Sequence, residues 1–89
     1  MSADKRLQRL RFRSWHRGMR EMDLVLGTFA DAHLSHFGPE ELDQYEALLS
    51  ESDPDLYNWI TGAHPPPDIH NHAIMNKLRT HNTVDPKAI

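Results

Sequence analysis

The 89-residue sequence contains no cysteine, which excludes disulfide bonds and thiolate metal sites. It has no apolar run near the ~18 residues that a membrane-spanning helix needs. Motifs for phosphate cradles, nucleophilic serines and zinc hydrolases are missing as well. The four glycines lie far apart and outside any strand–loop–helix context, so nothing indicates a dinucleotide cradle. The residues therefore offer no catalytic set and no metal site.

Lysine and arginine are missing from residues 21–68, a stretch that carries eleven acidic residues. Seven of the ten basic residues lie in the first twenty positions: Lys5, Arg6, Arg9, Arg11, Arg13, Arg17 and Arg20. One interpretation is internal pairing, with a basic first helix packed beside acidic later helices. The other is a dipolar molecule whose basic end steers towards an acidic or phosphate-bearing partner. Both interpretations stay open at the level of sequence.

Hydrophobic periodicity predicts an all-α, compact five-helix single domain. The predicted helices span 4–15, 19–36, 39–50, 54–62 and 68–81, joined by short connections. Composition supports a globular chain, with 38% hydrophobic and 26% charged residues. We expect a helical domain over 1–82 and a flexible C-terminal tail over 83–89, because the apolar pattern disappears after Asn82.

The predicted core follows the apolar side of each helix. In the second helix the stripe consists of Met19, Met22, Leu26, Phe29, Ala30 and His33. The inward sides of the other helices comprise Leu7, Leu10 and Phe12 or Trp15; Leu42, Tyr45, Leu48 and Leu49; Leu56, Trp59 and Ile60; and Ile69, Ala73, Ile74 and Leu78. Gly27 sits inside the second helix, where a glycine usually lets a neighbouring helix approach. Asp4 is predicted to cap the first helix or to favour its positive end, and Ser52 or Asp53 is predicted to cap the fourth.

Seven histidines occur without the spacing of a metal site. His33 and His36 are three residues apart and could face one another across a helical turn. His70 and His72 are predicted to point to different faces, which argues against joint chelation. Histidines without such a frame are more often solvated side chains than ligands.

Gly18 lies where the first helical pattern ends and the second begins, within Arg17-Gly18-Met19-Arg20-Glu21. A glycine there can adopt a positive φ or allow another backbone to come close. Arg17 and Glu21 are four residues apart and could form a surface ion pair. The stretch is either a C-cap with a weak ion pair or an exposed recognition corner ringed by charges.

The run from Trp15 to Asp23 resembles the Arg-Gly-x-x-Glu signature of the succinate dehydrogenase assembly factors, also called flavinylation factors. A second block, Leu48-Leu49 followed by residues 53–60, is similar to the other recurrent block of that family. The resemblance covers roughly residues 5–82. It implies a small all-helical protein, not an enzyme, that binds the flavoprotein subunit of succinate dehydrogenase or fumarate reductase and promotes covalent attachment of FAD to it.

The resemblance also implies which residues contact the partner. They are Arg17, Gly18, Met19, Arg20 and Glu21, flanked by Arg13, Trp15 and His16. FAD is expected to be carried by the partner, with no cofactor bound tightly here. We further expect a monomer when free, a chain mature from its first residue, and a bacterial cytoplasmic location. The alternative function is a small helical nucleic-acid-binding protein that uses the basic first helix.

Overall fold

Apolar residues at steps of three and four produce helices throughout this chain. The computed structural model describes the backbone of residues 2–87 and the side chains of residues 5–81. Its five α-helices are α1 (Ser2–Trp15), α2 (Arg20–His33), α3 (Pro39–Leu49), α4 (Asp53–Thr61) and α5 (Ala73–Lys87). Two short 3-10 turns, Leu34–His36 and Asp68–His70, precede α3 and α5. Residues 2–87 contain no strand, so the all-α prediction is confirmed.

The core forms around α2, which packs against α1 and α5. Four of the six residues of its predicted stripe, Met22, Leu26, Phe29 and Ala30, are fully buried, whereas Met19 and His33 are half-buried. The surrounding helices contribute Leu10, Tyr45, Leu48, Leu56, Ile74, Met75 and Leu78, none of which is exposed. Burying an apolar side chain of this size contributes ~1.5–3 kcal/mol before entropy is counted. This cluster therefore fixes the relative positions of all five helices.

Gly27 lets α1 approach α2 closely, as predicted. A Cβ atom built on Gly27 would lie 2.2 Å from Cδ2 of Trp15, far inside van der Waals contact. The indole ring therefore occupies the space that any other residue at position 27 would fill. Trp15, rather than Phe12, is the inward aromatic residue of α1, because Phe12 is 62% exposed.

The start of the fifth helix was predicted wrongly. Residues 68–70 form a 3-10 turn, and α5 begins only at Ala73. This break shifts the register of the connector, so that Ile69 is 75% exposed while His70 is 2% exposed. A buried Ile69 and a solvated His70 are therefore both wrong. At its other end α5 continues past Asn82 to Lys87, and the flexibility of residues 83–89 stays a prediction.

Capping residues mark the helix boundaries of α3 and α4 where the sequence indicated them. The Glu41 side chain accepts a hydrogen bond from the Gly38 backbone N–H at 2.9 Å, completing the N-terminus of α3. Ser52 Oγ accepts from the Asp55 N–H at 3.4 Å at the start of α4. Gly62 closes α4 with φ of 86°, a left-handed conformation that favours glycine. The Asp4 side chain lies outside the described residues. Within the described residues, none of the helices has the combined length and hydrophobicity of a membrane span.

Candidate functional site

Arg17 is an internal anchor, not an exposed residue. Its side chain is only 11% exposed. Nε donates to Oδ1 of Asp53 at 2.9 Å, Nη2 donates to the carbonyl of Glu51 at 2.7 Å, and Nη1 donates to the carbonyl of Leu49. The predicted pairing of Arg17 with Glu21 on the surface is therefore wrong. The guanidinium instead ties the α1–α2 junction to the turn between α3 and α4, with all three nitrogens used.

The backbone of the junction is fixed from the other side by α2. The Arg17 N–H donates to Oδ1 of Asp23 at 2.6 Å, and Asp23 lies in the first turn of α2. A carboxylate there also favours the positive end of the helix. Gly18 follows with φ of 109° and is exposed, with no atom within 4 Å of a built Cβ. Gly18 is thus held in a conformation that suits glycine while facing open space.

The corner presents a small set of polar side chains beside this glycine. Arg20 and Glu21 are exposed on the first turn of α2. His16 is exposed on the other side and stacks on Phe12, with ring centroids 4.0 Å apart. Its Nδ1 also lies 2.7 Å from the Phe12 carbonyl, which holds the imidazole in place. Met19 is half-buried and packs against the core.

Two of the predicted flanking residues are held by the helices behind the corner. Arg13 lies 3.7 Å from a carboxylate oxygen of Glu46 on α3. Trp15 packs on Gly27, and its Nε1 donates to Asp31 at 3.4 Å. The outward face of the predicted site therefore comprises His16, Gly18, Arg20 and Glu21. Arg13, Trp15 and Arg17 support that face from within.

Internal pairing, one of the two interpretations that the sequence left open, accounts for most of the charge asymmetry. Four of the seven N-terminal cations pair with acids of later segments: Arg6 with Asp43 and Glu46, Arg11 with Asp31, Arg13 with Glu46, and Arg17 with Asp53. Lys5, Arg9 and Arg20 make no ion pair with any described side chain, and all three are exposed. Internal pairing therefore uses four of these seven cations, and the other three are exposed.

A second buried polar contact supports the turn that receives Arg17. Nε2 of His70 lies 2.7 Å from Oε2 of Glu51, whose backbone carbonyl accepts from Arg17. The indole of Trp59 lies 5.6 Å from the His70 ring, and Trp59 packs on the core while remaining half-buried. Sequence reasoning missed this pair because periodicity placed His70 outside. Its only signal was the triple proline before it, which breaks the helical register.

A third contact that sequence reasoning missed joins α1 to α3 in the core. The hydroxyls of Ser14 and Tyr45 lie 2.6 Å apart, and Ser14 Oγ donates to the Leu10 carbonyl at 2.8 Å. Burial raises the pKa of the Tyr45 phenol, so this group stays neutral. The signal was present, because Ser14 continues the inward spacing of Leu7 and Leu10. This bond holds α1 in position directly before the corner.

Histidines do not converge on a metal site among the side chains that the structure describes, where no group of three or more His, Cys, Asp or Glu residues is suitably placed. His33 packs beside Phe29, with ring centroids 4.6 Å apart. Its other aromatic neighbours include His81, at 6.2 Å between centroids.

Comparison with known proteins identifies the family. A family model described as the flavinator of succinate dehydrogenase matches residues 8–82. A mitochondrial succinate dehydrogenase assembly factor 2-A from Drosophila yakuba is 41% identical over 80 residues, covering 88% of this chain and 49% of the fly protein. The assembly factor 2 proteins of the yeasts Candida glabrata and Debaryomyces hansenii are 50% and 48% identical over 60 residues, covering 67% of this chain and 39% and 42% of those proteins.

These relatives correct one expectation. They are named as mitochondrial proteins of flies and yeasts, which contradicts the expected bacterial cytoplasmic location. The chain spans about half the length of the fly protein and less of the yeast proteins. The matched region includes the whole corner and the turn that receives Arg17. On this match, which covers most of the sequence, the chain belongs to the succinate dehydrogenase flavinator family.

Proposed function

We propose that this protein is an assembly factor that binds the flavoprotein subunit of succinate dehydrogenase or fumarate reductase and promotes covalent attachment of FAD to it. The observation that carries the proposal is the corner around Gly18, which lies inside the matched region, is open to solvent and is fixed from two sides. A rigid, exposed corner suits binding with little loss of conformational entropy.

Each outward residue of the corner has a role in this proposal. Gly18 permits close approach of the partner's backbone, since no side chain stands between it and solvent. Arg20 offers a planar donor fork to a carboxylate or carbonyl group. Glu21 meets a basic group of the partner, and His16 extends the surface along α1. Arg17 acts only through the backbone that it holds.

The contribution of this chain is positioning rather than chemistry. The family resemblance assigns the reacting histidine and the FAD pocket to the partner, so the chain is not itself a flavin transferase. Calorimetry of FAD with the isolated protein tests this assignment. We expect no binding tighter than roughly micromolar, which corresponds to about −8 kcal/mol. Submicromolar binding would make the chain a carrier of the flavin.

The nucleic-acid alternative finds no support in the comparisons. The pairing of Arg6 and Arg13 with carboxylates of α3 also removes cations that such a protein would turn towards phosphates.

Affinity for the purified flavoprotein subunit, measured from low to high salt, tests the proposed binding. Exposed charges are screened over ~8–10 Å at moderate ionic strength, so affinity should fall as salt rises. The triple variant K5Q/R9Q/R20Q should bind more weakly and lose most of the salt dependence. Lys77→Gln, which removes one exposed cation on α5, is the control and should bind normally. Absence of binding at low salt would contradict the proposed function.

A further inference from the structure

A groove between the C-terminal part of α2 and α5 lies well away from the corner. It is lined by His33, Asn76, Lys77, Thr80 and His81 and has a volume of about 400 Å³. Small-molecule sites in proteins range from about 300 to 1,000 Å³. The 14 residues of α2 separate His33 from the corner at Arg20, a distance of roughly 20 Å at 1.5 Å per residue. The groove is thus separate from the proposed partner surface.

The two imidazoles of the groove are held in place by neighbours. Nε2 of His81 lies 2.7 Å from the hydroxyl oxygen of Thr28 on α2. Beneath them, Phe29 contacts both rings, with centroids 4.6 Å from His33 and 5.7 Å from His81. The His33 ring also stacks towards Phe37, 6.3 Å away. A ligand would therefore meet ordered aromatic faces.

Among the residues whose side chains the structure describes, those that line the groove carry positive charge and no negative charge. The lining combines an ammonium group, two imidazoles, an amide and a hydroxyl, and none of the five residues carries a carboxylate. Burial lowers the pKa of His33, and the nearby charges of His81, Lys77 and His36 lower it further. Neighbouring cations that disfavour a further positive charge would favour a bound negative one by the same interaction.

We propose that this groove binds a small organic anion, a carboxylate or a phosphate, whose charged group meets Lys77 and whose apolar body lies against the imidazole rings. The side-chain amide of Asn76 donates a hydrogen bond to a remaining oxygen of the anion, whereas the Thr80 hydroxyl, which donates to the Asn76 carbonyl at 3.0 Å, only lines the groove. Binding favours the protonated form of His33, so affinity rises as pH falls from 7.5 to 5.5. Among the described side chains, the titratable groups whose charges act on His33 are His36 after α2 and Lys77 and His81 on α5.

Nuclear magnetic resonance of the full chain tests the proposal directly. Benzoate, phenyl phosphate and inorganic phosphate are titrated separately, with benzyl alcohol as the uncharged control. We expect saturable shifts confined to His33, Lys77, His81 and their neighbours, a raised pKa of His33, and affinity at least about threefold higher at pH 5.5 than at pH 7.5. Saturation by benzoate alone assigns an organic carboxylate and saturation by phenyl phosphate alone an organic phosphate, whereas saturation by inorganic phosphate alone would contradict the apolar part of the proposed ligand.

Charge variants complete the test. Lys77→Gln should weaken benzoate binding about tenfold, whereas Lys5→Gln, an exposed lysine on α1, should leave it unchanged. Equal binding of benzyl alcohol and benzoate, or an absence of saturation by any of the three anions up to about 20 mM, would overturn the proposal. Because these readouts need no flavoprotein, their failure would leave the assembly function unaffected.

Discussion

The guanidinium of Arg17 and the carboxylate of Asp53 join the α1–α2 junction to the first residue of α4, with Nε and Oδ1 2.9 Å apart. Both side chains are nearly buried, at 11% and 13% exposure. Arg17 also donates to the carbonyls of Leu49 and Glu51. Arg17 therefore supports the structure around it, and its replacement should first reduce stability.

Replacing Arg17 should destabilise the fold before it affects any contact with a partner. Arg17→Ala leaves Asp53 and two carbonyls without their donor and should cost about 3 kcal/mol, since breaking a buried pair costs roughly 3–5 kcal/mol. Arg17→Lys should recover only part of this, because one ammonium cannot reach all three acceptors. Urea unfolding measures the change, and Arg9→Ala, an exposed cation without a described ion pair, is the control. Equal stability of Arg17→Ala and wild type would contradict the anchor.

Gly18 should be required for flavoprotein binding because it has no side chain, and not only because it adopts a positive φ. Gly18→Arg places a side chain in open space at φ of 109°, and a left-handed conformation costs about 1–2 kcal/mol for such a residue. Gly62→Arg is the matched control, because Gly62 has φ of 86° and the same open surroundings at the end of α4. Both variants should lose similar stability by circular dichroism, and only Gly18→Arg should lose flavoprotein binding. Equal loss of binding in both would reduce Gly18 to a helix junction.

The sequence predicted the helices and most of the core, because a stripe of apolar residues that repeats every three or four positions can bury itself in few other ways. It placed Gly18 correctly at the junction and Gly27 at a close helix contact. It did not predict the ion-pair partner of Arg17, because a motif gives only spacing along the chain and Asp53 lies 36 residues away in sequence. It failed for His70 because a 3-10 turn, not a helix, follows the prolines. Such long-range polar pairs leave no periodic signal.

Gly27 should tolerate no side chain while Trp15 is present. In Gly27→Ala the new Cβ would lie 2.2–2.5 Å from three atoms of the indole ring, so α1 and α2 must move apart. Overpacking of this kind typically costs about 1–3 kcal/mol. In the double variant W15L/G27A the second substitution should cost less than it does alone, because the smaller side chain leaves room. Thermal unfolding of the four proteins measures the coupling, and simple additivity would contradict the contact.

Stability should fall as the solution is acidified through the range of two histidines. Burial lowers the pKa of His33 and, together with His70, that of His72, below the ordinary value of 6.5. The unfolded chain then binds more protons than the folded one between the folded and unfolded pKa values, so the free energy of unfolding decreases as pH drops below about 6.5. His33→Gln or His72→Gln should flatten this dependence, and His64→Gln, at an exposed connector residue, should not. Urea unfolding at pH 5.5 and 7.5 gives the comparison, and unchanged pH dependence in the first two variants would contradict the assignment.

The proposed acceleration of flavin attachment by binding and positioning can be measured as the rate at which purified apo-flavoprotein gains covalent FAD. Adding the protein should raise that rate to a plateau. Arg20→Ala and Glu21→Ala should need higher concentrations to reach the same plateau, because they weaken binding alone. Lys77→Ala is the control and should match wild type. A Glu21 variant that binds the flavoprotein normally at saturation yet gives no acceleration would show a chemical role for Glu21 and contradict positioning alone. A rate that does not change when the wild-type protein is added would contradict the proposed function.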